Sequence, residues 1–125
     1  MSFTESDGTA PAEPFLDVDF FRSLVENGSD AIVTIDEDST VVYANAAVER
    51  VFGHEPEELV GEPLTTIMPE RLQDSHYESM GEYLTTGDRS LDWTDIQLPA
   101  ERADGAEVTL DITFEEHLYE GNRVF

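Results

Sequence analysis

Apolar and polar side chains alternate most regularly near the end of the chain. This period of two predicts a strand with one buried and one solvated face, whose apolar residues are Val108, Leu110, Ile112 and Phe114. The preceding Asp104-Gly105 pair is a hairpin signal. It predicts an earlier partner strand over 90–102, with a bulge near Trp93 and Thr94 where the apolar face changes.

Two shorter β-branched runs predict a second hairpin. They cover Ala31 to Ile35 and Thr40 to Ala44, and the acidic turn at 36–39 joins them. The residues at 123–125 predict the start of a last strand, which we expect to be truncated there.

Helical spacing of apolar residues predicts an amphipathic helix over 17–27. Asp17 or Asp19 suits its start, and Asn27-Gly28 suits its end. Its apolar positions are Leu16, Phe20, Phe21, Leu24 and Val25.

Three more helices are predicted between the two groups of strands. The first follows Asn45, a good N-cap residue, and ends at Gly53. The second has Pro56 in its first turn and ends at Gly61. The third is longer and covers about 72–84.

The resulting order of elements indicates an α+β fold. It predicts a five-stranded antiparallel sheet with helices packed over one face, and such layers can enclose a pocket. We divide the chain into a flexible lead-in at 1–14, a flanking amphipathic helix at 15–29, and one domain at 30–125.

The composition is strongly acidic. The chain has 29 Asp and Glu against 6 basic residues, for a net charge of −23, and all the basic residues are arginines. The acids are dispersed, and molar salt would screen their mutual repulsion. We therefore interpret the charge as adaptation to a salt-rich cytoplasm. Binding of nucleic acid is disfavoured because there is no basic patch to neutralise phosphates.

Several functional classes are excluded or disfavoured. The chain has no cysteine, which excludes disulfides, thiolate metal sites and cysteine nucleophiles. No apolar run reaches the length of about 18 residues that a membrane span needs, and residues 1–14 do not form a signal peptide. No nucleophile with its base can be assembled. We expect a cytoplasmic module that is not itself an enzyme.

The ordered motifs resemble the PAS sensor family over about residues 21–125. They are Asn45 after the second strand, the Phe-Gly of 52–53, the Glu-Glu-Leu-x-Gly of 57–61 and the Asp-Gly of 104–105, within AIVTIDEDSTVVYANAAVERVFGHEPEELVGEPLTTIMPE and RADGAEVTLDI. The resemblance implies a PAS fold and an intracellular sensing module. Such a module binds a small ligand or cofactor, or dimerises, and regulates an output domain in the same chain. The output is typically a histidine kinase, a transducer or a transcription regulator.

His76 is the leading candidate for a ligand contact. On the predicted helix it shares one face with Leu72, Met80 and Tyr83. The stretch MPERLQDSHYESMGEYL also resembles heme-binding PAS domains of rhizobial oxygen-sensing kinases, whose iron ligand follows Met-Pro-Glu at this spacing. That resemblance implies His76 as a heme ligand in a gas sensor, the one metal role we assign. Those sensors place an arginine where this chain has Ile96.

Two further alternatives stay open. A noncovalent flavin could contact Trp93, Tyr43 and Asn45, although no cofactor at all is the simpler interpretation. The helix at 17–27 could instead form a homodimer, which would make the chain a ligand-free dimerisation scaffold.

Overall fold

The computed structural model describes residues 18–89, 93–94 and 96–125. The predicted lead-in at 1–14, and the apolar position and cap at 16 and 17, therefore lie outside the described residues. The helices are α1 (Val18–Glu26), α2 (Ala47–Phe52), α3 (Pro56–Leu59) and α4 (Glu70–Thr86), with a 3₁₀ turn at Leu64–Ile67. The strands are β1 (Val33–Ile35), β2 (Val41–Ala44), β3 (Ile96–Glu101), β4 (Glu107–Ile112), β5 (His117–Tyr119) and β6 (Asn122–Val124).

The core lies where the short helices pack on β2. Val41 of β2, Val48 of α2 and Leu59 of α3 are each no more than 1% exposed. Burying side chains of this size contributes about 1.5–3 kcal/mol each. Five more buried side chains complete the cluster: Ile35, Ala44, Phe52, Ile67 and Ala100.

Local sequence sets the ends of the short helices. α2 ends at Gly53, whose φ of 76° is left-handed and costs a glycine little. Arg102 then donates to the carbonyl oxygens of Arg50 and Val51 in the last turn of α2, at 2.9 and 2.7 Å. α3 begins with Pro56 and has a capping box in which the Glu58 side chain accepts from the Glu55 amide.

The prediction that Asn45 caps α2 is wrong. The helix begins one position later, Ala46 occupies the cap position, and no side chain bonds to the first turn. The side-chain amide of Asn45 bonds instead to backbone groups of residues that precede β1. A local capping rule does not anticipate these partners.

The strands pair as hairpins, as the turn signals predict. β1 pairs with β2 with a register shift between Thr34 and Ile35. β3 pairs with β4 in unbroken antiparallel register, joined by a turn in which Gly105 has a φ of 86°. β5 pairs with β6, and Ile35 of β1 exchanges two backbone hydrogen bonds with Phe125, at 2.8 and 2.9 Å.

A single five-stranded sheet is not what the described residues show. The antiparallel α+β arrangement is present, but the strands form three two-stranded sheets. The long alternating strand ends at Ile112, and a separate strand, β5, begins only at His117. Residues 113–116 lie outside the named strands, although the Phe114 amide still donates to the carbonyl oxygen of Trp93 at 2.7 Å.

Within the described residues, the predicted strand over 90–102 is regular from Ile96 to Glu101. Trp93 and Thr94 lie in a bend before it, and the bulge predicted there stays a prediction. The remaining positions of that prediction, 90–92 and 95, lie outside the described residues.

Polar side chains hold α4 against the rest of the fold. Gln73 in its first turn donates to the carbonyl oxygens of Thr65 and Met68, at 3.3 and 3.1 Å. Arg71 and Glu107 of β4 form a bidentate ion pair at 2.7 and 2.8 Å, a geometry specific to arginine and carboxylate. The helix ends at Gly87, which is left-handed like Gly53.

α1 has the predicted amphipathic pattern, yet none of its residues is buried. Val18 is 71% exposed and Leu24 is 55% exposed. Apolar packing therefore contributes little to holding this helix on the domain. Within the described residues, no helix combines the length and the apolar character that crossing a bilayer requires.

Candidate functional site

The inner face of α4 is the face that the helical spacing predicts. Leu72, His76, Met80 and Tyr83 are all half-buried, and Met80 packs against the core cluster. Intervening residues such as Asp74 and Glu78 are exposed. Four candidate ligand contacts thus share one face of one helix.

His76 makes a specific contact across the layers. Its Nε2 lies 2.7 Å from Oγ of Ser39 in the β1–β2 turn. Burial lowers the pKa of His76 below its ordinary value of 6.5, because desolvation disfavours the imidazolium. His76 is therefore a half-buried histidine whose ring bonds to a side-chain hydroxyl.

Ser39 is the centre of this contact. It is fully buried and has a φ of 61°, a left-handed conformation uncommon for residues other than glycine. Its carbonyl oxygen accepts from the amide of Leu64 in the 3₁₀ turn at 2.8 Å. Asp36 shapes the same turn by accepting from the amides of Asp38 and Thr40. A glycine at position 39 would fit the backbone, but it has no side chain to bond to the imidazole.

The residues around His76 do not fit heme in this arrangement. An iron ligand needs a free ring nitrogen and a cavity on its open side. Here Nε2 is within hydrogen-bond distance of the buried Ser39 hydroxyl. Ile96, which stands where the resemblance expects an arginine, is half-buried and pairs with Ile112.

An aromatic cluster occupies the far end of α4. The Tyr83 and Trp93 ring centroids are 4.8 Å apart, and Phe114 and Phe125 each approach Trp93 edge-on at 6.2 and 6.3 Å. The guanidinium carbon of Arg89 lies 3.9 Å from the centroid of the Trp93 ring, within the range of a cation–π contact. The face of Trp93 on that side is thus covered by a side chain of the same chain.

Asn45 is buried near the end of α1, away from the aromatic cluster. Its Nδ2 donates to the carbonyl oxygens of Val25 and Asp30, and its Oδ1 accepts from the amide of Ile32, all within 2.9 Å. Both of its donors are used, so it has none to offer a flavin ring. Tyr43, the third candidate flavin contact, has a buried hydroxyl without a partner among the described residues.

The structure therefore separates the predicted site residues into groups. Tyr83 and Trp93 meet at the end of α4, His76 bonds to the β1–β2 turn, and Asn45 bonds to the segment after α1. Sequence reasoning missed Ser39 and the ring partners Phe114 and Phe125. A serine at the end of an acidic turn carries no helical or strand period that would have indicated it.

Neither of two open clefts is lined by these residues. One lies beside the connection between α1 and β1, and the other lies between the start of α4 and β4. Over residues 18–89, 93–94 and 96–125, no three histidine, aspartate or glutamate side chains are grouped so as to hold a metal ion.

Comparison with known proteins gives consistent matches. The family model described as the PAS fold matches residues 25–114. The chain is 27% identical over 108 residues to the oxygen sensor protein DosP of Escherichia coli strain K12. That match covers 86% of this chain and 13% of DosP. It is 26% identical over 95 residues to the sensor protein FixL of Bradyrhizobium diazoefficiens. That match covers 76% of this chain and 19% of FixL. The chain thus spans a small part of each relative.

A solved structure agrees at the level of the fold. The PAS domain of a protein from Desulfitobacterium hafniense matches with a TM-score of 0.67 and 19% identity, covering 82% of this chain and 92% of that one.

The lowered pKa of His76 predicts a pH dependence of stability. The unfolded chain takes up a proton near the ordinary value of 6.5, whereas the folded chain resists it. The free energy of unfolding should therefore fall as pH falls through that value and level off below the folded pKa. Urea unfolding between about pH 7.5 and 5.5 should show a steeper loss for the unmodified protein than for His76→Gln.

His117→Gln, which removes an exposed histidine of β5, is the matched control. Equal pH dependence of the unmodified protein and His76→Gln would contradict the buried, neutral imidazole.

Proposed function

This chain belongs to the PAS-fold family, and from that premise we propose that it is the sensory module of a longer intracellular signalling protein. The observation that carries the proposal is the match over residues 25–114 together with the two sensor proteins among its relatives. In this proposal the module itself is not catalytic. A change in ligand occupancy or dimer geometry at the helices regulates an output domain, for which a two-component histidine kinase is one candidate.

The arrangement of α4 supports a sensory role. Its inner face contacts the core through Met80, the β1–β2 turn through His76, and the aromatic cluster through Tyr83. A ligand that displaced any one of these contacts would move a helix that is tied to the β1–β2 turn through His76 and to β4 through Arg71. Small shifts of a packed helix are a common way to transmit a signal.

The size of the protein that cells make tests the attached output. Intact mass measurement of the protein isolated with an antibody against this chain should give a mass well above 14.0 kDa, with peptides of a signalling domain. A cellular product of only this length would contradict the proposal that the output lies in the same chain.

A second candidate is a heme-based gas sensor through His76. The name of DosP, an oxygen sensor, and the position of His76 on the inner face of α4 favour it. The bond between His76 and Ser39 opposes it, because Nε2 would have to leave the serine before it could bind iron.

Absorption spectra decide between these candidates. Protein purified in molar salt and mixed with hemin should give the broad spectrum of unbound hemin, identical for the unmodified chain and His76→Ala. A sharp Soret band that His76→Ala abolishes would establish the heme sensor and contradict our assignment. Ser39→Ala is the informative variant, because a band that appears only there would show that the serine blocks the iron ligand.

A third candidate, a dimerisation scaffold, is favoured by the apolar side chains that α1 exposes. Val18, Phe21 and Leu24 are 71%, 48% and 55% exposed, and a second copy could cover them. Two chains that each carry a net charge of −23 repel one another, and salt screens that repulsion while it strengthens apolar burial. Dimerisation that depends on salt in this way also fits our proposal of a salt-rich cytoplasm.

Light scattering tests the dimer and the salt adaptation together. The fraction of dimer should rise as NaCl is raised from about 0.2 M to about 2 M, and Phe21→Glu should remain monomeric throughout. Tyr119→Glu, a similar change on the exposed β5, is the control and should dimerise like the unmodified chain. A monomer at both salt concentrations would contradict the scaffold.

A further inference from the structure

α1 is attached to the domain in an unusual way. None of its residues is buried, so the hydrophobic effect supplies little of the free energy that holds it in place. Phe20 is half-buried, and groups at the C-terminal end of the helix add hydrogen bonds to the domain.

Asn45 provides the most buried of those contacts. The residue is 1% exposed, and its Nδ2 donates to the carbonyl oxygen of Val25 in the last turn of α1 at 2.9 Å. The same nitrogen donates to the carbonyl oxygen of Asp30 at 2.8 Å, and Oδ1 accepts from the amide of Ile32 at 2.9 Å. One side-chain amide therefore joins the last turn of α1, the connecting segment and the residue before β1.

The neighbouring contacts are weaker or more exposed. The Ala46 amide donates to the carbonyl oxygen of Glu26 at a long 3.4 Å. Arg50 donates to the carbonyl oxygen of Ser29, but its side chain is exposed. A buried hydrogen bond is costlier to lose than an exposed one, because water does not replace the partner. Asn45 is thus the dominant tie.

Tyr43 is another residue close to α1. The hydroxyl of Tyr43 is buried without a partner among the described residues. Its pKa is raised by burial and then by the charge of Glu26 on α1, with Arg22 acting the other way, which places the helix charges near the ring.

We propose that Asn45 is the positioning residue that couples α1 to the domain, acting as a latch that sets whether the helix is docked or released. Asn45 lies between β2 and α2, two elements of the core, so a change in the core reaches α1 through this side chain. The coupling role rests on the proposed sensory function, whereas the latch is a property of this chain alone.

Hydrogen exchange on the whole chain tests the latch. Asn45→Asp has the same shape but replaces the donor nitrogen with an oxygen that repels the two carbonyl groups. In molar salt, exchange in peptides over 18–30 should accelerate by about tenfold or more, while peptides over 96–112 keep their rates. Asn122→Asp, the same change on the exposed strand β6, is the control and should leave the α1 peptides unchanged.

Two results would overturn the latch. Unchanged exchange over 18–30 in Asn45→Asp would show that other groups hold α1. Equal acceleration over 96–112 would show that Asn45 supports the whole fold and not α1 in particular. If Asn45→Asp does not fold, Asn45→Ala applies the same criteria, because it removes the donors without adding a charge. The size of the cellular protein does not affect this result, so the latch and the sensory function can fail separately.

Discussion

The packing of α2 and α3 on β2 is the interaction on which the rest of the structure depends. Val41, Val48 and Leu59 meet there almost completely buried, and they come from three elements adjacent in the sequence. Among residues 18–89, 93–94 and 96–125, most of the fully buried apolar side chains belong to this cluster. An acidic chain has limited apolar material, and this one concentrates it where short helices and a hairpin can form together. The remaining elements are added around that centre.

Polar side chains make many of the attachments to this centre. His76 ties α4 to the β1–β2 turn, Gln73 ties the start of α4 to the 3₁₀ turn, and Asn45 ties α1 to the residues before β1. Each bonds to a partner outside its own element. Such bonds specify geometry, since a missing partner leaves a buried polar group unsatisfied.

Side chains whose partners are local behaved as the sequence predicted. The left-handed glycines at 53 and 105, the proline that begins α3 and the inner face of α4 all follow from rules that span four or five residues. Asn45 did not, because a capping rule considers the following helix, whereas three preceding backbone groups compete for the same amide. A strand period likewise cannot reveal where pairing stops, so β5 was missed.

At the candidate site, too, local features were predicted and distant partners were not. Helical spacing placed His76 on the inner face of α4, but its bonding partner lies 37 positions away in a turn. Whether a histidine is available to a ligand is decided by that partner. The matches to the sensor proteins DosP and FixL carry no information on this contact, which is why similarity alone does not assign a cofactor.

Residue-resolved hydrogen exchange on the unmodified chain, measured by NMR in molar salt, tests the central claim most directly. The amides of Val41 and Gly61, which bond within the centre of the core, should be the slowest and should exchange only through global unfolding. The amide of Asn27 at the end of α1 should exchange orders of magnitude faster through local release. If α1 exchanges as slowly as Val41, the helix is an integral part of the core, and a tethered helix around a small apolar centre is contradicted.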